Sequence, residues 1–303
     1  MNKPKTLVKN VKRHWELYLL VLPVVLYFII FKYAPMYGIQ IAFRDFYPGM
    51  DMWKAKWVGF SNFSRLFRSF SFKNALRNTL TLSFLQLAIG FPLPIILAIL
   101  LNEIRLAAPK KLLQTVSYAP HFISTVAMAG IILAFTASHG LIGQIYTALT
   151  GKTINMLTEP DKFKWIYVLS NAWKNAGWNS VIYIAALSSV DVSMYDAAKV
   201  DGASRLQNIW YLDLPSLLPT AVILLIMNCG QVLNVSYEQI LMLQNDLNIT
   251  ASEVISTYSY QMGLINRDYS FSTAISLFNS VVNLTLLTSV NVIARKITGN
   301  SLW

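Results

Sequence analysis

The sequence predicts an all-α, polytopic membrane protein with six transmembrane helices. Three observations carry the prediction. Of the 303 residues, 55% are hydrophobic and only 13% charged, against about 25% charged in soluble chains. Six apolar stretches approach the roughly 20 residues that a helix needs to cross the hydrocarbon core. Lys and Arg gather in the polar segments between them, where they set orientation. Stretches of this length satisfy their own backbone groups in lipid only as helices.

The stretches lie at residues 15–33, 75–101, 112–135, 165–190, 217–241 and 271–294. Ahead of the first, Lys3, Lys5, Lys9, Lys12 and Arg13 resemble the basic start of a signal peptide. The apolar run behind them is long for a signal and no A-x-A site follows, so it reads as an uncleaved span. With six spans, that cluster, Arg105, Lys110 and Lys111 after span two, and Arg295 and Lys296 after span six share one side. That side is taken as the cytoplasm, with both termini on it. Residues 1–14 are then a cytoplasmic segment and residues 15–303 one transmembrane domain.

Between spans one and two, residues from about 34 to 74 fall outside although Arg44, Lys54, Lys56, Arg65, Arg68 and Lys73 lie there. Phe60, Phe63, Leu66, Phe67 and Phe70 recur at helical spacing, which predicts an amphipathic helix at the interface. It would anchor span two or form part of a docking surface. Gly90, Pro92 and Pro94 predict a kink in span two, and span three carries Pro120.

The loop between spans four and five reads YDAAKVDGASRLQNIWYLDLP from Tyr195 to Pro215. Ser193 is the expected helix cap, with Asp196 three residues on. Asp201-Gly202 ends the helix after about two turns, since glycine accepts the left-handed conformation. A second helix follows with Leu206, Ile209 and Trp210 on one face, and Leu214-Pro215 is expected to stop it. Ala197 and Ala198 give the first helix a surface without bulk. Taken alone this is an amphipathic connector.

Three spans carry polar series at helical spacing: Asn171, Asn175 and Trp178 with Asn179 on span four; Asn228, Gln231 and Asn234 on span five; Ser272, Ser276, Asn279 and Asn283 on span six. Such residues either glue helices or line a solute path. As a set over three spans they favour a path. Amides both donate and accept, which suits sugar hydroxyls.

Catalytic and metal signatures do not emerge. The single cysteine, Cys229, excludes an internal disulfide framework. His14, His121 and His139 lack metal-site spacing, and no G-x-S-x-G occurs. Gly151-Lys152-Thr153 ends like a phosphate loop, but Tyr146 stands where its first glycine belongs. The net charge of +11 flanks apolar spans and so reads as contact with lipid headgroups, not nucleic acid. A membrane-embedded transferase and a stand-alone secondary transporter remain the readings of another class.

Asp196-Ala197-Ala198, three residues, Gly202, nine residues, Leu212, one residue and Leu214-Pro215 together resemble the EAA motif of ABC importer permeases. Asp196 stands one methylene short of the usual Glu. PMYGIQIAF from residue 35, WVGFSNF from 57, GWNSVIYIAAL from 177, YEQILML from 237 and the closing RKITGNSLW resemble the LplB branch of the MalF/MalG-type carbohydrate permeases. The resemblance implies the type I ABC importer permease fold and no enzymatic activity in this chain. It implies a cytoplasmic coupling helix within residues from about 191 to 215, acting through Asp196, Ala197, Ala198, Asp201, Gly202, Leu212, Leu214 and Pro215. It further implies a second, homologous permease chain and a cytoplasmic ATPase dimer that binds the ATP and Mg, leaving this chain without a cofactor. An extracytoplasmic solute-binding lipoprotein and a carbohydrate substrate complete the expected set. An amino acid or ion as solute stays open.

Overall fold

The computed structural model describes residues 13–303, so Lys3, Lys5, Lys9 and Lys12 lie outside the described residues. Among the described residues, five helical elements are long and apolar enough to cross a bilayer: Trp15–Phe43, Phe70–Asn102, Thr125–Thr150, Arg205–Cys229 and Tyr269–Thr298. Pro160–Ser188 makes a sixth when taken with Val192–Val200, from which it is bent by 71°. Asp161, Lys162, Lys164 and Lys174 dilute its apolarity.

The first span runs further than predicted. Trp15–Phe28 continues through a π turn at Ile29–Tyr33, where the ladder adjusts to the missing N–H of Pro35, and ends in a 3-10 turn at Tyr37–Phe43. None of its membrane-length window is buried against the rest of the chain. The outer loop therefore begins near Arg44, in a two-residue antiparallel pairing of Arg44–Asp45 with Lys56–Trp57.

The single amphipathic helix expected there is shorter. Ser61–Arg68 buries Leu66, and Ser69 then turns extended to cap the next helix, its Oγ accepting from the Phe72 N–H at 3.2 Å. Phe70 so belongs to span two and is exposed. Span two starts five residues earlier than predicted, and its expected kink takes the form of an interruption at Phe91, between Phe70–Gly90 and Pro92–Asn102.

Span three is not the continuous helix expected over residues 112–135. Ala107–Tyr118 passes into a 3-10 turn at Ala119–Phe122, the backbone extends at Ile123, and Ser124 caps Thr125–Thr136. Pro120 supplies no N–H to continue the ladder. Here span four comes unusually close: a methyl on Gly177 would overlap the Ser117 carbonyl.

Span five is also corrected. Its helix ends at Cys229, not near residue 241, and Tyr237–Leu243 is a separate short helix. At its other end it does not start after a stop at Leu214-Pro215. Arg205–Asn208, a π turn at Ile209–Asp213 and Leu214–Cys229 run on as one element. The π turn shifts the ladder by one residue where Pro215 cannot donate. Span six, Tyr269–Thr298, opens on Asp268, which accepts from the Phe271 N–H at 3.1 Å, and closes at Gly299 with φ +74°. Arg295 and Lys296 in its last turn complement the helix dipole.

Three apolar clusters tie the bundle together. Leu82, Met128, Ile132, Phe163, Tyr167, Val168, Ile240 and Leu243 join spans two, three and four to the short helix. Leu66, Phe72, Leu233, Ile255, Phe271 and Ile275 fasten the outer helix to span six. Ala98, Ile99, Tyr183, Leu187 and Leu217 bind the ends of spans two and four to the start of span five.

Candidate functional site

Span four sets Asn171, Asn175 and Asn179 one turn apart, so their amides form a single stripe. That stripe, with Asn228, Gln231 and Asn234 from the end of span five, lines a cavity of about 290 Å³. Six of the nine residues expected on a solute path are thus brought together. Ser83 and Gln86 on span two, Tyr167 on span four and Ser236 complete the polar wall. Sequence reading missed these four. The signal available was the spacing Ser83, Gln86, Gly90 in an otherwise apolar run.

The wall includes broken backbone. Between Cys229 and Tyr237 the chain follows turns, with the Gln231 N–H on the Asn228 carbonyl and the Asn234 N–H on the Gln231 carbonyl. Non-helical backbone at membrane depth is tolerated where it is enclosed by protein or faces water. Ser256 donates to its Val235 carbonyl at 3.4 Å, and three further side chains hold it. Ser83 donates to the Val232 carbonyl. The Tyr167 hydroxyl accepts from the Ser236 N–H at 3.2 Å. Asn283 accepts from the Leu233 N–H at 3.1 Å.

The remaining three expected path residues sit elsewhere. Asn283 is buried and serves as that fastening. Asn279 donates to Asn234 at 3.0 Å and lines a second groove, of about 440 Å³, with Ser256, Ser259, Ser272, Ser276, Ser280, Tyr237 and Tyr260. Hydroxyls dominate that groove, and the Asn234–Asn279 pair separates it from the amide cavity. Trp178 lies off both. Its ring stacks on His121 at 4.9 Å between centroids, and His121 Nδ1 lies 3.2 Å from Asn175 Oδ1.

On the far side of span four stands the elbow. Val192–Val200 is capped by Asp191, whose carboxylate accepts from the Ser193 N–H at 2.9 Å, so Ser193 is inside the helix and not its cap. That backbone bond holds the Asp191 carboxyl below the usual range. The helix ends in paired bonds, Gly202 N–H to the Lys199 carbonyl at 3.2 Å and Ala203 N–H to the Ala198 carbonyl at 2.9 Å. Gly202 has φ +74°, which any other residue would hold under strain. Ser204 and Gln207 then form a reciprocal capping box.

Rigid turns thus bound a short helix carrying Asp196, Ala197 and Ala198. Its Asp201 and Gly202 lie on the exposed surface, while Leu212 and Leu214 are half-buried and Pro215 is exposed at the start of span five. The elbow also leaves large apolar groups in the open. Val200 is 87% exposed, Trp210 66%, and Val192, Leu206 and Tyr211 stand out beside them.

This arrangement matches known transport proteins. The family model described as binding-protein-dependent transport system inner membrane component matches residues 90–299. Protein LplB of Bacillus subtilis (strain 168) is 43% identical over 286 residues, which covers 94% of this chain and 90% of that protein. The polygalacturonan/rhamnogalacturonan transport system permease protein YteP of the same strain is 41% identical, covering 97% of this chain and 92% of YteP. Among solved structures, a chain of a bacterial ABC transporter involved in the import of the acidic polysaccharide alginate superposes with TM-score 0.89. It is 40% identical and covers 97% of this chain and 99% of its own. The chain belongs to the family of binding-protein-dependent transport system inner membrane components.

Proposed function

We propose that this chain forms half of the translocation path of an ATP-driven importer of oligosaccharides or polysaccharide fragments. The observation that carries the reading is the amide-lined cavity between spans two, four and five, walled in part by open backbone. Its lining of Asn171, Asn175, Asn179, Asn228, Gln231 and Asn234 offers paired donors and acceptors and no charge, as sugar hydroxyls require. LplB- and YteP-like relatives and the alginate importer support a saccharide as the class.

The elbow supports coupling to a separate motor. A stiff helix with an apolar exposed surface is suited to seat on another protein, and Asp196, Ala197, Ala198, Asp201, Gly202, Leu212, Leu214 and Pro215 are the residues we assign to it. The partner is a cytoplasmic ATPase dimer that binds ATP and Mg and performs the hydrolysis. Its closure tilts spans four and five and alternates access to the cavity. Residues 1–14 and the elbow then lie in the cytoplasm, and residues 15–303 form one permease domain.

The first span supports a second permease chain, because none of its membrane-length apolar window is buried against its own bundle. An extracytoplasmic binding protein delivers the solute; a relative of this fold is seen with an alginate-loaded periplasmic protein.

Proteoliposomes holding this chain, the second permease and the ATPase test the reading. Supplied with the binding protein and a labelled oligogalacturonide or neutral oligosaccharide, they accumulate label only with ATP on the ATPase side. Accumulation without ATP, or of amino acids or ions alone, overturns it.

A further inference from the structure

We propose that Tyr195 and Asp213 form a clasp that carries the elbow's motion into the spans, acting as positioning residues for coupling. The inference rests on the elbow being the ATPase contact.

The Tyr195 hydroxyl donates to Asp213 Oδ1 at 2.5 Å. Asp213 has no exposed surface. Its second oxygen, Oδ2, is buried with no donor among the described residues, and so is the Asn208 Oδ1. These two residues bracket the π turn Ile209–Asp213, which brings positions five apart over one another. The pocket is thus rich in acceptors, and the Tyr195 hydroxyl is the donor that holds the carboxylate. Enclosed carboxylates are costly when unpaired, so this contact is strongly preferred to an open arrangement.

Burial and then Asp213 push the Tyr195 phenol far above its usual value. One ring therefore links the elbow helix Val192–Val200 to the foot of span five. Just beyond it, Ala98, Ile99, Tyr183, Leu187 and Leu217 pack spans two, four and five into one cluster. Among the described residues no other side chain of the elbow helix bonds to another element, and the helix is otherwise joined through turns, Ser189–Asp191 before it and Asp201–Ser204 after it. A tilt about the 71° bend therefore reaches Asp213 through the Tyr195 ring.

The test uses the whole importer with its ATPase, in a Cys229→Ser background carrying Asn228→Cys in the cavity. The readout is the labelling rate by a membrane-impermeant maleimide with and without ATP, beside ATP hydrolysis. With the clasp intact, ATP changes that rate about tenfold, since it shifts the populations of two states. Tyr195→Phe is expected to keep hydrolysis and lose most of the ATP-dependent change.

Because Tyr195→Phe strands a buried carboxylate, the double variant Tyr195→Phe/Asp213→Leu is the second arm. Removing both polar partners restores packing, so its melting temperature recovers while the ATP-dependent change stays lost. A normal ATP response in Tyr195→Phe overturns the clasp. So does recovery of both properties in the double variant, which makes the pair structural only. Disulfide trapping of Ala198→Cys to the ATPase separates the two levels of the argument. Trapping in the parent and the variants upholds the elbow contact, and no trapping in the parent removes that contact and the clasp with it.

Discussion

Asn283 on the last span accepts from the Leu233 N–H at 3.1 Å and donates to the Asn234 side chain at 3.2 Å. One buried amide thus holds the open backbone that follows span five. Asn283→Leu leaves a buried N–H without a partner, at a cost of about 1–3 kcal/mol. It is expected to lower the melting temperature of the solubilised complex clearly more than Asn228→Leu does. Equal melting temperatures for the two variants refute the fastening role.

Asn228 is the complementary case. Its side chain opens on the cavity and has no fastening bond among the described residues. Asn228→Leu is expected to leave assembly intact and reduce solute uptake about tenfold, the scale of one or two lost polar contacts. Unchanged uptake kinetics remove it from the lining.

Helical periodicity made the span-four stripe legible, because Asn171, Asn175 and Asn179 repeat every four residues inside a single unbroken helix. The end of span five was not legible. Val232, Leu233 and Val235 keep the apolar average high past Cys229, and the groups that capture the freed backbone come from Ser83, Tyr167 and Asn283, all distant in sequence. The elbow's turn at Gly202 was legible because φ +74° selects glycine. Its cap was not, since Asp191 and Ser193 both offer an oxygen to a helix start and only the backbone path chooses between them. Pro215 misled for a related reason. A π turn one residue upstream absorbs its missing N–H, so the helix runs on through a residue that usually stops one.

Gly177 packs where spans three and four meet at the Pro120 turn. A methyl there overlaps the Ser117 carbonyl, which is backbone and cannot swing away. Gly177→Ala is expected to force the spans apart at a cost of about 1–3 kcal/mol. The displacement also pulls His121 from Asn175, so uptake falls along with thermal stability. A variant with parent-like melting and uptake shows that the helices can separate freely.

Gly202 poses the reverse question, because a Cβ there meets nothing within 4 Å among the described residues. Replacement costs backbone strain of about 1–2 kcal/mol for the left-handed conformation, too little to undo helices held by lipid. Gly202→Ala is therefore expected to insert and to retain part of its uptake. Gly202→Asp carries no more strain, since Asp accepts the left-handed conformation better than Ala, but it sets a third acid beside Asp196 and Asp201 on the surface assigned to the ATPase. Its expected phenotype is normal insertion, lost uptake and lost trapping of Ala198→Cys to the ATPase. The contrast between the two variants is what matters, since strain alone predicts an Asp variant no worse than the Ala variant and a docking surface predicts a worse one. Equal uptake in both removes the elbow from the coupling path.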